Sequence, residues 1–350
     1  MNYNNLWRPA IPAALAAGTA VLFIFISGGN PAEAAAALWA GAFANEFAIA
    51  DMLTRAAPLL ITGLAISLAF RAGALNIGAE GQMLMGASAA VFVGLQLHNW
   101  PRPFAIVATV TAAGAGGLLA ASLPALLRRY RNVPEVLSTI LFNFIFAEMV
   151  SWLVRGPLQE ASRENPQSDA IAEGAMFPKL LPPTSLHLGF FVAIAFAAAL
   201  WIYLFRTAGG LRLRASGLSP RAALFAGFAP DRMLMMSMFV SGAMAGVSGG
   251  MIVNAQTGRL YSDISGGIGY IAIAVALLGR LHPIAIIGSA LLFGALEAGA
   301  AEMQRTANVS SALAQVVEAV ALFGVLATER SLQYSGASRT STMVQADGVR

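Results

Sequence analysis

Residues 70–82 read FRAGALNIGAEGQ, and the reading of this stretch decides how the rest of the chain is organised. It closes the apolar run LLITGLAISLAF and opens onto MLMGASAAVFVGL, so glycines, amides and a carboxylate stand between two segments suited to hydrocarbon. Gly73, Gly78 and Gly81 interrupt helical hydrogen bonding. Backbone groups freed inside a bilayer must be buried in protein or line a water-filled cavity. The residues leave two readings open. One is a turn at the membrane surface, with Arg71 as a topology signal and Glu80 solvated. The other is a helix break that builds a solute path, with Asn76, Glu80 and Gln82 supplying donors and acceptors.

Working outward, 57% of the 350 residues are hydrophobic and 11% are charged, against about 25% charged in a soluble domain. Apolar runs recur at the length of about 20 residues that crosses a bilayer. The expectation is an all-α polytopic membrane protein with about ten spans. They fall near 11–27, 55–70, 82–98, 103–127, 134–154, 187–205, 232–254, 267–280, 283–303 and 308–327. Several are rich in Ala and Gly, which suits close approach of helices in a membrane bundle. The first run has features of a signal peptide, but the chain beyond it is polytopic, so it reads as an uncleaved span. With the N-terminus inside, 14 of the 21 Lys and Arg fall on cytoplasmic pieces, which places both termini in the cytoplasm. Residues 1–327 thus read as one transmembrane domain, with an external loop at 155–186 and a basic cytoplasmic loop at 206–232. The tail, 328–350, is polar and without periodicity, and reads as disordered.

The composition excludes several chemistries. There are no cysteines, and His98, His187 and His282 lack metal-ligand spacing, so no metal site is expected. No nucleophile–base pair stands out, no catalytic residue is assigned and no cofactor is expected. Lys179 is the one lysine and does not follow a Gly-rich run, so a Walker A loop is absent. If ATP drives this protein, another subunit binds it. The arginines are dispersed between apolar runs, which argues against nucleic acid and for the lipid bilayer as partner.

Within the basic loop, Ser219-Pro220 is a helix start, with Ser as N-cap and Pro at the first helical position, and Gly227 can end the helix. Leu224 and Phe225 could anchor it in a partner's groove; the bland alternative is a connector carrying topogenic arginines. Asn143 either lines a path or bonds a neighbouring helix. Glu148 reads as solvated near the outer boundary. Asn254 and Gln256, with Tyr261 and Asp263, fall at a Gly-rich external break that reads as an outer gate or a protein contact. Glu297 and Glu302 do not share a helix face, and Glu318 reads as paired within the last span.

These motifs together resemble the permeases of nucleoside and simple-sugar ABC importers, relatives of the ribose and branched-chain amino-acid permeases. FRAGALNIGAEGQ is similar to their signature, and NVPEVLSTILFNF (132–144) matches a second run in register at Glu135, Val136, Thr139, Ile140 and Asn143. GLSPRAALFAGF (217–228) resembles their coupling loop, and IAVALLGRLHPIAIIGSALLFGAL (273–296) their late double span. Two departures stand out: Pro134 where Asn is usual, and Ile271-Ala272 in place of an acidic residue and Gly. The resemblance implies a substrate path through Asn76, Glu80, Gln82, Asn143 and Asn254. It also implies ATPase coupling through Gly217, Ser219, Pro220, Arg221, Ala223, Leu224, Phe225 and Gly227. The implied partners are an ABC ATPase subunit, a periplasmic substrate-binding protein and a second copy of the permease or a related one, in the bacterial inner membrane. The rival reading is a stand-alone ion-coupled transporter, with Glu80, Glu297 and Glu318 as coupling carboxylates. A membrane-embedded enzyme has no supporting residues.

Overall fold

The computed structural model describes residues 10–307, residue 27 excepted, together with residues 310, 313, 316, 319, 320, 323, 324 and 327. The expected span at 308–327, apart from those positions, and with it Glu318 and the tail, lies outside the described residues. The described chain is all-α. Its order is α1 (Ala10–Ile26), α2 (Pro31–Phe43), α3 (Glu46–Arg71), α4 (Ala79–Gly94), α5 (Arg102–Arg131), α6 (Glu135–Arg155), α7 (Gly189–Arg206), α8 (Ala208–Leu218), α9 (Pro220–Phe225), α10 (Pro230–Ile252), α11 (Ile268–Leu278) and α12 (Pro283–Thr306). A π-helical turn, Val253–Thr257, continues α10. Extended pairing among the described residues is limited to two isolated antiparallel bridges, Gln167–Tyr261 and Lys179–His187.

Six of these helices are long and apolar enough to cross a membrane: α3, α5, α6, α7, α10 with its π turn, and α12. Two segments expected as full spans are shorter. The stretch near 82–98 is α4, with 16 residues, and the stretch near 267–280 is α11, with 11. Each follows non-helical backbone, 72–78 before α4 and 258–267 before α11, the latter holding Gly258, Gly266 and Gly267 at positive φ. The first turns of the two helices meet: a Cβ on Gly269 would lie 2.5 Å from Glu80 Cα and N. From that point they run in opposite senses. The end of α4 is tied to the 156–188 loop, where Ala172 N donates to Gly94 O at 3.1 Å. The end of α11 reaches the turn whose Leu281 carbonyl accepts from Arg71 Nε at 2.6 Å. At 1.5 Å per residue the two add to about 40 Å, the same as α3 alone at about 39 Å. Together they match the length of one spanning helix, N-terminus to N-terminus.

The described residues form two compact units, one of residues up to 52 with those from 295 onward, the other of residues 53–294. In the first, α2 was not anticipated, although its start is written in the sequence. Asn30 caps it, accepting from Ala32 N at 3.0 Å, and Pro31 occupies the first helical position. Gly41 lets α2 approach the backbone at Ala298 and Gly299.

In the second unit, α4, α5 and α10 pack with almost no side chain between them. A Cβ on Gly86 would lie 2.3 Å from Gly246 Cα, one on Gly117 2.2 Å from Gly242 O, and one on Gly249 2.0 Å from Met83 O. Where lipid tails are as apolar as the helices, close backbone approach supplies the dispersion contacts that hold a bundle together. Pro58 inside α3 lacks an N–H, which frees the carbonyl of Thr54 four residues earlier. Gln256 Nε2 donates to that carbonyl at 3.3 Å. Gly246→Val should therefore unfold or mis-insert the chain, because backbone cannot yield as a side chain does in an ordinary overpacked core costing about 1–3 kcal/mol. A Cβ on Gly288 meets nothing within 4 Å, so Gly288→Ala should hold or raise the melting temperature in detergent. Equal melting temperatures for the two variants would contradict this packing.

Candidate functional site

The seven residues between α3 and α4 alternate like a strand. Ala72, Ala74, Asn76 and Gly78 are buried, Gly73 and Leu75 are exposed, and Ile77 is half-buried. The inward face makes its own hydrogen-bond knot. Asn76 Nδ2 donates to Gln82 Oε1 and to Ser241 Oγ of α10, each at 3.0 Å. Asn76 Oδ1 accepts from Gly78 N and from Gln82 Nε2, again at 3.0 Å. All four hydrogen-bonding positions of that amide are occupied, as a fully buried amide requires. Asn143, on α6, closes the knot from the other side. Its Oδ1 accepts from Gly81 N at 2.9 Å, and its Nδ2 donates to Ile77 O at 3.0 Å and to the Tyr270 hydroxyl at 3.2 Å. Gly78 and Gly81 are required here: a Cβ on Gly81 would lie 2.7 Å from the Phe146 ring, and one on Gly78 3.0 Å from Thr139 Cβ.

Glu80 stands where α4 and α11 meet. Its carboxylate accepts from Gly269 N at 2.7 Å, in the first turn of α11, and from Ser265 Oγ. It lies in the first turn of its own helix as well. A negative charge is favoured at a helix N-terminus, and here two such ends converge on one carboxylate. Asn76, Glu80, Gln82 and Asn143 are thus brought together, with Ser241, Ser265 and Tyr270 as members the sequence reading missed. The positive-φ glycines just ahead of Tyr270 were the available signal. Asn254 is elsewhere. It lies 13 positions beyond Ser241 on the α10 rod, about 20 Å away at 1.5 Å per residue. There it is fully buried and donates to Thr109 Oγ1 at 2.6 Å.

The end of the bundle that carries Arg71 forms a second constellation. The Phe205 ring has the Arg71 guanidinium 5.3 Å from its centroid and that of Arg214 4.9 Å away, with the His282 ring at 5.1 Å. Gly217, at the end of α8, lies against the Arg71 carbonyl, where a Cβ would come within 2.1 Å. Next in the chain, Ser219 caps α9, its Oγ accepting from Ala222 N at 3.4 Å, and Gly227 follows at φ +77°. Of the residues singled out in α9, Ala223 points inward, only 3% exposed. Leu224 and Phe225 are exposed at 66% and 93%, and Leu218, which the sequence reading passed over, at 87%. Nearby, Asn132 in the left-handed conformation ends α5, and Arg128 Nε pairs with Glu135 at 3.3 Å at the start of α6.

At the opposite end, Glu160 accepts from Gln167 Nε2 at 2.8 Å and pairs with Arg259 at 3.0 Å, joining the 156–188 loop to the segment after α10. His187 is fully buried beside Phe177, their rings stacked at 6.1 Å. Its Nδ1 accepts from Gly189 N at 3.0 Å, which fixes the proton of the neutral ring on Nε2.

Half-helices meeting end to end inside a bundle of apolar spans define the class as a polytopic helical transport protein. Comparison with known families is specific: the family described as "Branched-chain amino acid transport system / permease component" matches residues 48–326. The chain belongs to that family and is a multi-pass ABC permease subunit. It is 32% identical over 328 residues to the guanosine ABC transporter permease protein NupP of Bacillus subtilis, covering 92% of this chain and 93% of that one. It is 30% identical over 348 residues to the glucose ABC transporter permease protein TsgB13 of Haloferax volcanii, covering 93% and 91%. With the nucleoside ABC transporter permease protein NupB of Lactococcus lactis it shares 29% over 315 residues, covering 87% and 86%.

Burial holds the His187 pKa down to about 4 from 6.5. A lowered folded-state value favours the neutral ring, so the stability it contributes is complete above pH 6.5 and is lost as pH falls towards about 4. The loss, up to about 3 kcal/mol at 1.36 kcal/mol per unit, should be missing from His187→Asn, whose amide oxygen can still accept from Gly189. Superimposable pH–melting curves for parent and variant would contradict this.

Proposed function

We propose that this chain is the membrane permease of an ATP-driven importer for nucleosides or similar small polar solutes, seated in the bacterial inner membrane. Its termini and the α8–α9 segment face the cytoplasm. A separate ABC ATPase subunit docks there, a periplasmic substrate-binding protein delivers solute to the opposite face, and a second copy or related permease completes the path. The permease performs no bond chemistry.

The observation that carries this reading is the apolar tip formed by Leu218, Leu224 and Phe225, set on a capped six-residue helix among arginines. Phe225 is 93% exposed, and an apolar anchor seated in a groove is how short helices recruit a partner. The same region has a route inward. α9 packs on α8, Gly217 of α8 touches the Arg71 carbonyl, and Arg71 ends α3 just before the non-helical stretch that carries the amide knot. Motion imposed on α9 by closure of an ATPase dimer would reach the junction of α4 and α11 as a shift between two packings. The names of the similar permeases, which mention guanosine and nucleosides, support the cargo class.

Phe225→Glu should abolish co-purification of the ATPase and lower ATP-driven uptake by more than tenfold, with the chain inserted normally. Ala223→Glu would instead disrupt α9 from within and is the poorer probe. Retained ATPase binding by Phe225→Glu, or uphill uptake in proteoliposomes by this chain alone on an ion gradient, would contradict the proposal.

A further inference from the structure

We infer that Tyr270 is a solute-facing residue of the translocation path, its ring a platform for a planar heteroaromatic group and Asn143 the residue that positions it. The inference rests on the importer reading and deepens it, by naming the chemistry met midway.

The location follows from the backbone. Residues 72–78 are non-helical and stand inward of Arg71, about 24 Å by helix length from the far end of α4. Irregular backbone at such depth is not tolerated against lipid; it is covered by protein or faces a water-filled cavity. Gly73 lies beside Gly217 at the α8–α9 end, but Leu75, further along the stretch, is exposed at 47%. The surface it opens onto is therefore not hydrocarbon. Tyr270 shares it. The two hydrogens of one Asn143 amide go to the Ile77 carbonyl at 3.0 Å and the Tyr270 hydroxyl at 3.2 Å, so the phenol oxygen lies beside the broken segment. The residue is 43% exposed.

The chemistry follows from how the ring is held. Tyr270 sits in the first turn of α11, behind two glycines at positive φ that let the chain turn into the helix. Its hydroxyl accepts from Asn143, and its own hydrogen has no partner among the described residues. A ring pinned at its oxygen, with the rest open to a wet path, can stack on a planar group and donate one hydrogen bond to it. Asn143 is buried, 2% exposed, and both of its N–H hydrogens go to Ile77 and Tyr270, so it orients the ring and does not meet the solute. A single platform of this sort binds weakly, which suits a residue that must release cargo on every cycle.

The chain has no cysteine, so Tyr270→Cys and Leu75→Cys each place one thiol in it. In membranes holding the whole importer, both should react with a charged, water-soluble maleimide, at rates that change severalfold when the ATPase is trapped with nucleotide. Reaction with a lipid-soluble maleimide alone, or none with either, overturns the location; should Tyr270→Cys not assemble, Leu75→Cys decides it. With labelled guanosine as probe, Tyr270→Phe, which keeps the ring but loses the Asn143 bond, should fall by about two- to threefold and Tyr270→Ala by about three- to tenfold, while ATPase assembly is unchanged. Parent-like uptake by Tyr270→Ala overturns the platform. A parent importer that carries no guanosine counts against the proposed cargo, whereas the labelling result stands independently of it.

Discussion

Inside a bilayer no water is at hand to satisfy a backbone N–H or C=O, and each group left bare costs several kcal/mol. This chain carries two non-helical stretches, each ahead of a short helix, at 72–78 and at 258–267, and the hydrogen bonds around them answer that constraint. Asn76 and Asn143 take up backbone groups beside the first interruption, Gly78 N, Gly81 N and Ile77 O, and Gln82 holds the Asn76 amide in place. Glu80 supplies acceptors at the start of α11, after the second. The polar residues are therefore occupied in holding the break together. The edge left exposed is the other one: Gly73, Leu75 and the ring of Tyr270.

That division sets two kinds of contact side by side. The contact of α4, α5 and α10 through Gly86, Gly117, Gly242, Gly246 and Gly249 leaves no slack, because backbone meets backbone. The junction of α4 and α11 is held by a few hydrogen bonds between separate elements, and such a junction can have two discrete packings. Phe205, held between Arg71 and Arg214, ties the end of α3 to α8. A transporter needs a frame that does not deform and a gate that does, and the two differ here in what fills their contacts.

Much of this was legible in the residues. Composition forced a helical membrane protein, and the glycines and amides of 70–82 fall on the non-helical stretch between α3 and the short α4. Ser219-Pro220 and Gly227 bounded α9. Other features were not legible, for physical reasons. The count of about ten spans rested on apolar length, which does not distinguish a full crossing from two half-helices sharing one. Asn254 carries the same side chain as Asn76, but about 20 Å of helix separates it from the knot, a distance only the fold supplies. Ala223 looked like part of a docking face because small residues suit either side of a helix, and burial alone decides which. Tyr270 was missed because its significance depends on Asn143, 127 positions away in the chain.

The central claim is that the reciprocal amide pair Asn76–Gln82 holds the interruption closed at depth. The direct measurement is a double-mutant cycle on the intact importer, with Asn76→Ala, Gln82→Ala and the double variant followed by thermal unfolding in lipid nanodiscs. Two hydrogen bonds in a membrane interior should give a coupling of about 1–2 kcal/mol, with the double variant little worse than either single one. Strictly additive losses would mean that the two amides act separately, and the account of the break would be wrong.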